Sequence, residues 1–206
     1  LPSGAWTHTG PRILGVASVA IHPTQPAVKL IASADGIVRT PDDGQSWRKT
    51  TGWNVGDVRA IVFDSGNTDL LYAATMWGPL RSADGGQNWT PTRQGLDRLY
   101  CQTLVADRAQ SGRVLLGMEH GLYTSTDAAL TWERIEFPDA TVTQLVQSSL
   151  QPSLFLAATL GHGTWNSSDG GKTWSLIDPI EANLYAATLA PHDAALMATG
   201  GWETGV

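Results

Sequence analysis

Lysine is scarce in this chain. There are three lysines in 206 residues, and thirteen basic side chains in all stand against nineteen acidic ones, for a net charge of −6. With no basic stripe to displace counterions from phosphates, nucleic acid is excluded as a partner. Cysteine is nearly absent too. The single Cys101 has no internal disulfide partner, and its place at the start of an apolar run predicts a buried, inert thiol. No run approaches the ~18–20 apolar residues of a membrane-spanning helix, and no signal-like segment stands at the start. A 3.6-residue apolar period is also missing, so almost no helix is expected. What remains is 42 % hydrophobic, ordinary for one globular domain.

What the chain does have is a repeat. Four segments share the pattern Ser/Thr-x-Asp-x-Gly-x-x-Trp: Thr40 to Trp47 with Asp42 and Gly44, Ser82 to Trp89 with Asp84 and Gly86, Ser125 to Trp132 with Asp127, and Ser167 to Trp174 with Asp169 and Gly171. Their tryptophans fall 42, 43 and 42 residues apart, and Trp6 lies 41 residues before the first. A fixed period of this length marks a repeat architecture whose units bury their apolar faces against one another. Within each motif, Asp suits a turn by bonding nearby backbone N–H groups, Gly supplies a positive φ, and Trp covers the hairpin. The third copy has Ala129 in place of Gly, which predicts a strained or differently shaped turn.

Each repeat also carries strand signals. A first apolar strand is read at 18–23, 59–64, 103–107, 143–148 and 187–191, and a second at 28–33, 70–75, 113–118, 154–159 and 195–200. A short third strand leads into each motif and a fourth begins at its Trp. Four short strands per ~42 residues is the pattern of a propeller blade. The expected fold is therefore an all-β propeller of four-stranded antiparallel blades. The blades are read at 13–52, 57–95, 99–137, 141–180 and 183–206, the last completed by residues 1–10 so that the ring closes on five. The alternative is a piece of a six- or seven-bladed ring.

The motif resembles the Asp-box, or BNR repeat, of sialidases, xyloglucan-cleaving glycosidases, the sortilin luminal domain and photosystem II assembly factors. That resemblance implies a turn between the third and fourth strands, so the motif residues are assigned structural roles. It also implies a secreted or periplasmic protein, bacterial in setting. Sialidases need three arginines, a Tyr–Glu pair and an Arg-Ile-Pro segment, and here Arg12-Ile13-Leu14 departs at the third position. The xyloglucan-cleaving family carries an acidic residue in a Gly-Thr-Asp-x-Gly-Gly stretch. Of the nearest counterparts, Ser33-Ala-Asp35-Gly36 and the segment Ala74 to Gly78, only the first keeps an Asp.

Function in a propeller gathers where loops converge at one mouth. The second-to-third turns carry Asp35, Trp77, Glu119 with His120, His162, and Trp202 with Glu203; the blade connections add Trp53, Asp57, Asp97, Tyr100 and Tyr185. Aromatic rings beside polar groups suit a sugar or a peptide. His120, His162 and Glu119 would together suit a metal, but histidines on turn glycines serve more commonly as surface hydrogen-bonding groups, and no metal or cofactor is assigned. A glycosidase needs two carboxylates about 5–9.5 Å apart; Asp35, Asp57, Glu119 and Glu203 are candidates, and nothing in the sequence pairs them. The expectation is thus a non-catalytic binding or scaffolding propeller that docks a protein or carbohydrate partner on this rim, extending to a membrane-associated complex by the assembly-factor resemblance. The alternative is a sialidase-like or xyloglucanase-like glycoside hydrolase, or a fragment of one.

Overall fold

The computed structural model describes residues 10–202, and among them there is no helix. Four sheets of four antiparallel strands follow one another: β1 Val16–Ile21, β2 Lys29–Ser33, β3 Gly36–Thr40 and β4 Arg48–Lys49; then β5 Val58–Phe63, β6 Leu71–Thr75, β7 Leu80–Ser82 and β8 Thr90–Pro91. The third sheet holds β9 Cys101–Ala106, β10 Val114–Met118, β11 Gly121–Ser125 and β12 Glu133–Arg134; the fourth holds β13 Val142–Gln147, β14 Phe155–Thr159, β15 Thr164–Ser167 and β16 Ser175–Asp178. A two-stranded hairpin, β17 Asn183–Ala190 with β18 Asp193–Trp202, completes the described chain. Strands pair in simple sequence order within each sheet. The first strands stand side by side, β1 against β5, β5 against β9, β9 against β13 and β13 against β17. This is the arrangement of propeller blades around an axis.

The second strands explain the unbroken apolar runs in the sequence. Every residue of β6, β10 and β14 is buried, because each lies in the middle of its blade with a neighbouring blade on either face. A buried Leu of such a strand contributes about 1.5–3 kcal/mol. Cys101 opens β9 and is fully buried, and desolvation pushes its thiol up to about 12. A nucleophilic thiolate is thereby suppressed.

The four repeated motifs form one turn, built four times, between the third and fourth strands. In the second copy the Ser82 hydroxyl donates to Asp84 Oδ1 (2.8 Å) and accepts from the Gly86 amide (2.9 Å). The same Asp84 oxygen accepts from the Gln87 and Asn88 amides, at 3.0 and 2.9 Å. Thr40 with Asp42, Ser125 with Asp127 and Ser167 with Asp169 repeat the pattern. All four carboxyls are held below the usual range. At Asp42 and Asp169 the leading cause is the hydroxyl four residues on, Ser46 and Thr173. At Asp84 and Asp127 burial opposes the charge but is outweighed by bonds from Asn88 and Thr131, and Asp127 reaches about 2.

The third turn is strained, as expected, but not differently shaped. It keeps the shape of the others, with Ala128 and Ala129 both at positive φ (61° and 62°), where the second has Gly85 and Gly86 (69° and 81°). A Cβ on Gly86 would come within 2.4 Å of Leu30 Cδ2 of the preceding blade. In the third turn the Ala129 methyl instead joins a buried cluster with Tyr72, which stands in β6 where β2 has Leu30. Packing against the neighbouring blade thus holds a left-handed alanine that the turn alone disfavours.

The residue that follows each first strand was not singled out from the sequence. His22, Asp64, Asp107 and Ser148 all accept backbone N–H groups of the following turn. Asp64 also reaches the next blade, accepting from Ser111 Oγ (2.6 Å) and the Gly112 amide (2.7 Å), while Tyr72 donates to it from behind (2.9 Å). Burial works against its charge, yet these donors hold the carboxyl low. Asp107 does the same work with Arg113 (2.5 Å) and with Gln147 of the next blade (2.9 Å).

Candidate functional site

The second-to-third turns and the blade connections lie together at one end of the blades. The hydroxyl of the last residue of the second strand ties the turn: Ser33 to Gly36 O (2.9 Å), Thr75 to Gly78 O (2.7 Å) and Thr159 to Gly163 O (2.6 Å). Gly163 cannot be replaced without distortion, since a Cβ there would sit 2.0 Å from Asp178 O at a φ of 75°. The connections then bind the turns to one another. The Asp57 amide donates to Ala34 O (3.0 Å) beside Asp35, and the Met76 amide donates to Asp57 O (3.4 Å) beside Trp77.

At this same end, every first strand carries a register shift. The shifts lie between Val16 and Ser18, Val58 and Ala60, Val142 and Gln144, and Leu184 and Ala186, and at Gly117/Met118 opposite Gln102. The residues left out of the ladder are Ala17, Arg59, Gln102, Thr143 and Tyr185. A bulge re-aims its side chain, and here five fall at equivalent places around the mouth. Arg59 is the centre. It donates to Gln102 Oε1, to the Tyr100 hydroxyl and to Asp57 Oδ2 (3.1 Å), and its guanidinium lies 4.5 Å from the Tyr100 ring centroid. Thr143 donates to Leu184 O (2.7 Å) of the next blade. Behind the bulges, Ser18, Arg59, Gln102, Gln144 and Gln147 line a cavity of about 320 Å³ between the inner strands.

Of the expected rim residues, Asp35 is exposed on its turn, and its Oδ2 accepts from the Leu14 amide (2.9 Å). Trp77 is exposed on the next turn, and Trp53 on a connection is 94 % exposed. Glu119 and His120 occupy the third turn and His162 the fourth, but the histidines are not brought together. His120 Nδ1 pairs with Asp139 (2.9 Å) and His162 Nδ1 with its own Leu160 O (2.9 Å). Trp202 does not lie on a turn. It ends β18, opposite Asn183, with its ring centroid 6.2 Å from that of Tyr185. That segment, read as a blade connection from 181 to 185, is in fact strand from Asn183, because the hairpin pairs through to the end of the described chain. Glu203, Trp6 and the N-terminal strand expected to close the fifth blade lie outside the described residues.

Arg59 and Gln102 were missed as site residues. Both stand at the second place of a first strand, where a polar residue reads as ordinary alternation, and only the bulge reveals that they point to the mouth. Trp165 of β15 was also passed over, although β3 and β7 carry Val38 and Leu80 at its position.

The fold and the mouth define a β-propeller with a polar, aromatic-bearing face, and comparison with solved structures agrees. The chain is similar to an ancestral GH74 enzyme (TM-score 0.75, 18 % identity, covering 92 % of this chain and 28 % of that one). It is also similar to the GH74 xyloglucanase from Xanthomonas campestris (TM-score 0.71, 22 % identity, 88 % and 34 %). No protein-family model matches. In sequence, the chain is 29 % identical over 174 residues to an oligoxyloglucan-reducing end-specific xyloglucanase of Emericella nidulans, covering 77 % of this chain and 21 % of that protein. It is 28 % identical over 173 residues to a xyloglucanase of a Paenibacillus species, covering 66 % and 16 %. The chain thus spans about a fifth of the length of the curated relatives it matches. These relatives overturn the expectation of a non-catalytic scaffold, because the proteins it resembles in sequence are enzymes.

Proposed function

We propose that this chain is a set of blades from a xyloglucan-cleaving glycoside hydrolase, with the bulged mouth facing the glycan. The four turns are read as Asp-boxes that brace the opposite end of the blades. The observation that carries the proposal is the sequence similarity to xyloglucanases across 66 to 79 % of the chain. The mouth supports it. Exposed Trp53 and Trp77 offer flat apolar faces for sugar rings, and the groups around Arg59 are donors and acceptors for hydroxyls. Hydrolysis of a glycosidic bond uses one carboxyl to protonate the leaving oxygen and another to attack or to activate water. Asp35 and Asp57 are the pair assigned these tasks, since one backbone hydrogen bond joins their loops. A polymeric glycan substrate places the protein outside the cytoplasm.

The end blades support the reading of a larger ring. Apolar Val16, Val19 and Ile21 of β1, and Leu196 and Trp202 of β18, are 53 to 80 % exposed, as faces awaiting further blades would be. The test is affinity electrophoresis and reducing-end release on xyloglucan, with cellulose and xylan as controls. Xyloglucan should retard the chain, Trp53→Ala and Trp77→Ala should weaken retention, and Asp35→Asn should spare retention while abolishing release. A chain that neither binds nor cleaves xyloglucan ends the proposal, and release that survives Asp35→Asn removes that residue from the chemistry.

A further inference from the structure

The motif tryptophans do not all act alike. Trp89 Nε1 donates to Thr50 Oγ1 (3.1 Å) and Trp132 Nε1 to Thr92 O (3.0 Å), each reaching across to the preceding blade and sealing the seam. Trp174 Nε1 instead donates to Gly171 O (3.2 Å) of its own turn. A groove of about 520 Å³ runs along the outer wall at the seam between the third and fourth blades, outside the buried cluster that Leu115, Leu122 and Ile135 form with Val142, Leu145 and Phe155.

Three rings shape this groove. Phe137 stands 5.2 Å from Trp165 at 58° and 5.6 Å from Trp174 at 87°. The indole N–H of Trp165 is already committed to His162 O (2.8 Å), so both indoles have only ring surface to give. Glu136, Pro138, Lys172 and Thr173 complete the lining. Among the described residues, neither the Glu136 carboxylate nor the Lys172 ammonium makes an ion pair or a hydrogen bond. One acid and one base leave the lining without net charge. Its size falls in the range of small-ligand sites.

We propose that this groove between the third and fourth blades binds a neutral pyranose unit of an oligosaccharide, at a second site separate from the mouth. A pyranose has an apolar face that matches an aromatic ring and a hydroxyl rim that matches an unpaired carboxylate and ammonium. A strongly anionic or cationic ligand would gain from one charge and be repelled by the other. The assignment stands on the groove itself and does not need the mouth to be catalytic.

The experiment labels the chain with 5-fluorotryptophan and titrates it with cellotetraose and with a xyloglucan heptasaccharide, following ¹⁹F resonances assigned through single Trp→Phe variants. Saturable shifts of Trp165 and Trp174 are expected. Trp165→Ala should weaken that site at least tenfold, and Glu136→Gln about threefold with an unchanged melting temperature. The affinity should be the same at low and high salt. Should Glu136→Gln and Trp165→Ala leave both affinity and shifts intact, or should neither sugar move these two resonances, the groove is not a sugar site. Binding that collapses with salt would assign it to a charged ligand and overturn the proposal equally. Shifts confined to Trp53 and Trp77 would support the mouth and reject the groove, whereas loss of hydrolysis in Asp35→Asn with normal groove shifts would separate the two in the other direction.

Discussion

Val19, Ile61, Leu104 and Leu145 hold the same place in the first strands of four successive blades. Three of them are 2 to 4 % exposed and Val19 is 53 % exposed. One position earlier in the apolar alternation, Val58, Cys101 and Val142 are buried and Val16 is 56 % exposed. The residue type barely changes, and the strand pairs its neighbour in the same register each time. What differs is that, among the described residues, β1 has no preceding blade packed against it. A propeller blade is thus only half a core, and its stability lies in the seam.

The largest test of this contrast is at the seams themselves. Trp132→Ala removes a nearly fully buried ring that bridges the second and third blades, and should cost about 3–5 kcal/mol by chemical denaturation. Trp174→Ala removes a half-buried ring that meets Phe137 of the third blade but sends its N–H back to its own turn, and should cost less. Equal losses would mean that the cross-blade N–H bond of Trp132 adds nothing to what its ring contributes.

The next test compares the inner strands directly. Leu104→Ala should destabilise the chain by about 2–5 kcal/mol, and Val19→Ala should stay within about 0.5 kcal/mol. A large loss from Val19→Ala would show that something covers β1 in solution. Closure on five blades through residues 1–10 predicts that large loss, and removing residues 1–10 should then abolish it, whereas a longer ring leaves β1 uncovered in this chain and predicts the small one.

The smallest effects concern the turns, which are alike in middle and end blades. The Asp127 carboxyl is lowered to about 2 from an unfolded value near 3.9. Its contribution is therefore complete above about pH 4 and is lost as the pH falls through about 2. The melting temperature should drop over this interval, and the drop should shrink in Asp127→Asn. A variant with the full acid response would assign the loss to the other lowered carboxyls, Asp169 and Asp64 among them. In the same turn, Ala128→Gly should stabilise by about 0.5–1 kcal/mol by releasing a left-handed alanine.

Much of this architecture was legible from the chain alone, and the reason is distance. The Asp-centred turns are made of bonds spanning two to four residues, so their sequence carries them whole. The second strands announce themselves because burial on both faces leaves no charged residue in β6, β10 or β14. The expected site fared less well. Asp35, Trp77, Glu119, His120 and His162 do sit at second-to-third turns, since a glycine marks each bend and, in three of the four, a hydroxyl ties it locally. Trp202 failed because its strand was extended by pairing with Asn183, a partner 19 residues away that no local pattern marks.

What only the tertiary structure decided are the bonds that cross from blade to blade. Arg59 meets Tyr100 and Gln102 across 41 and 43 residues, and Asp64 meets Ser111 across 47. Each such partner lies about one repeat away, so every blade offers an equivalent residue, and the sequence does not say which pairs will bond. The same holds for Trp174, which matches the motif as well as Trp89 does but turns back to its own glycine. Local chemistry builds the blade, and the seam between blades chooses what each exposed group will touch.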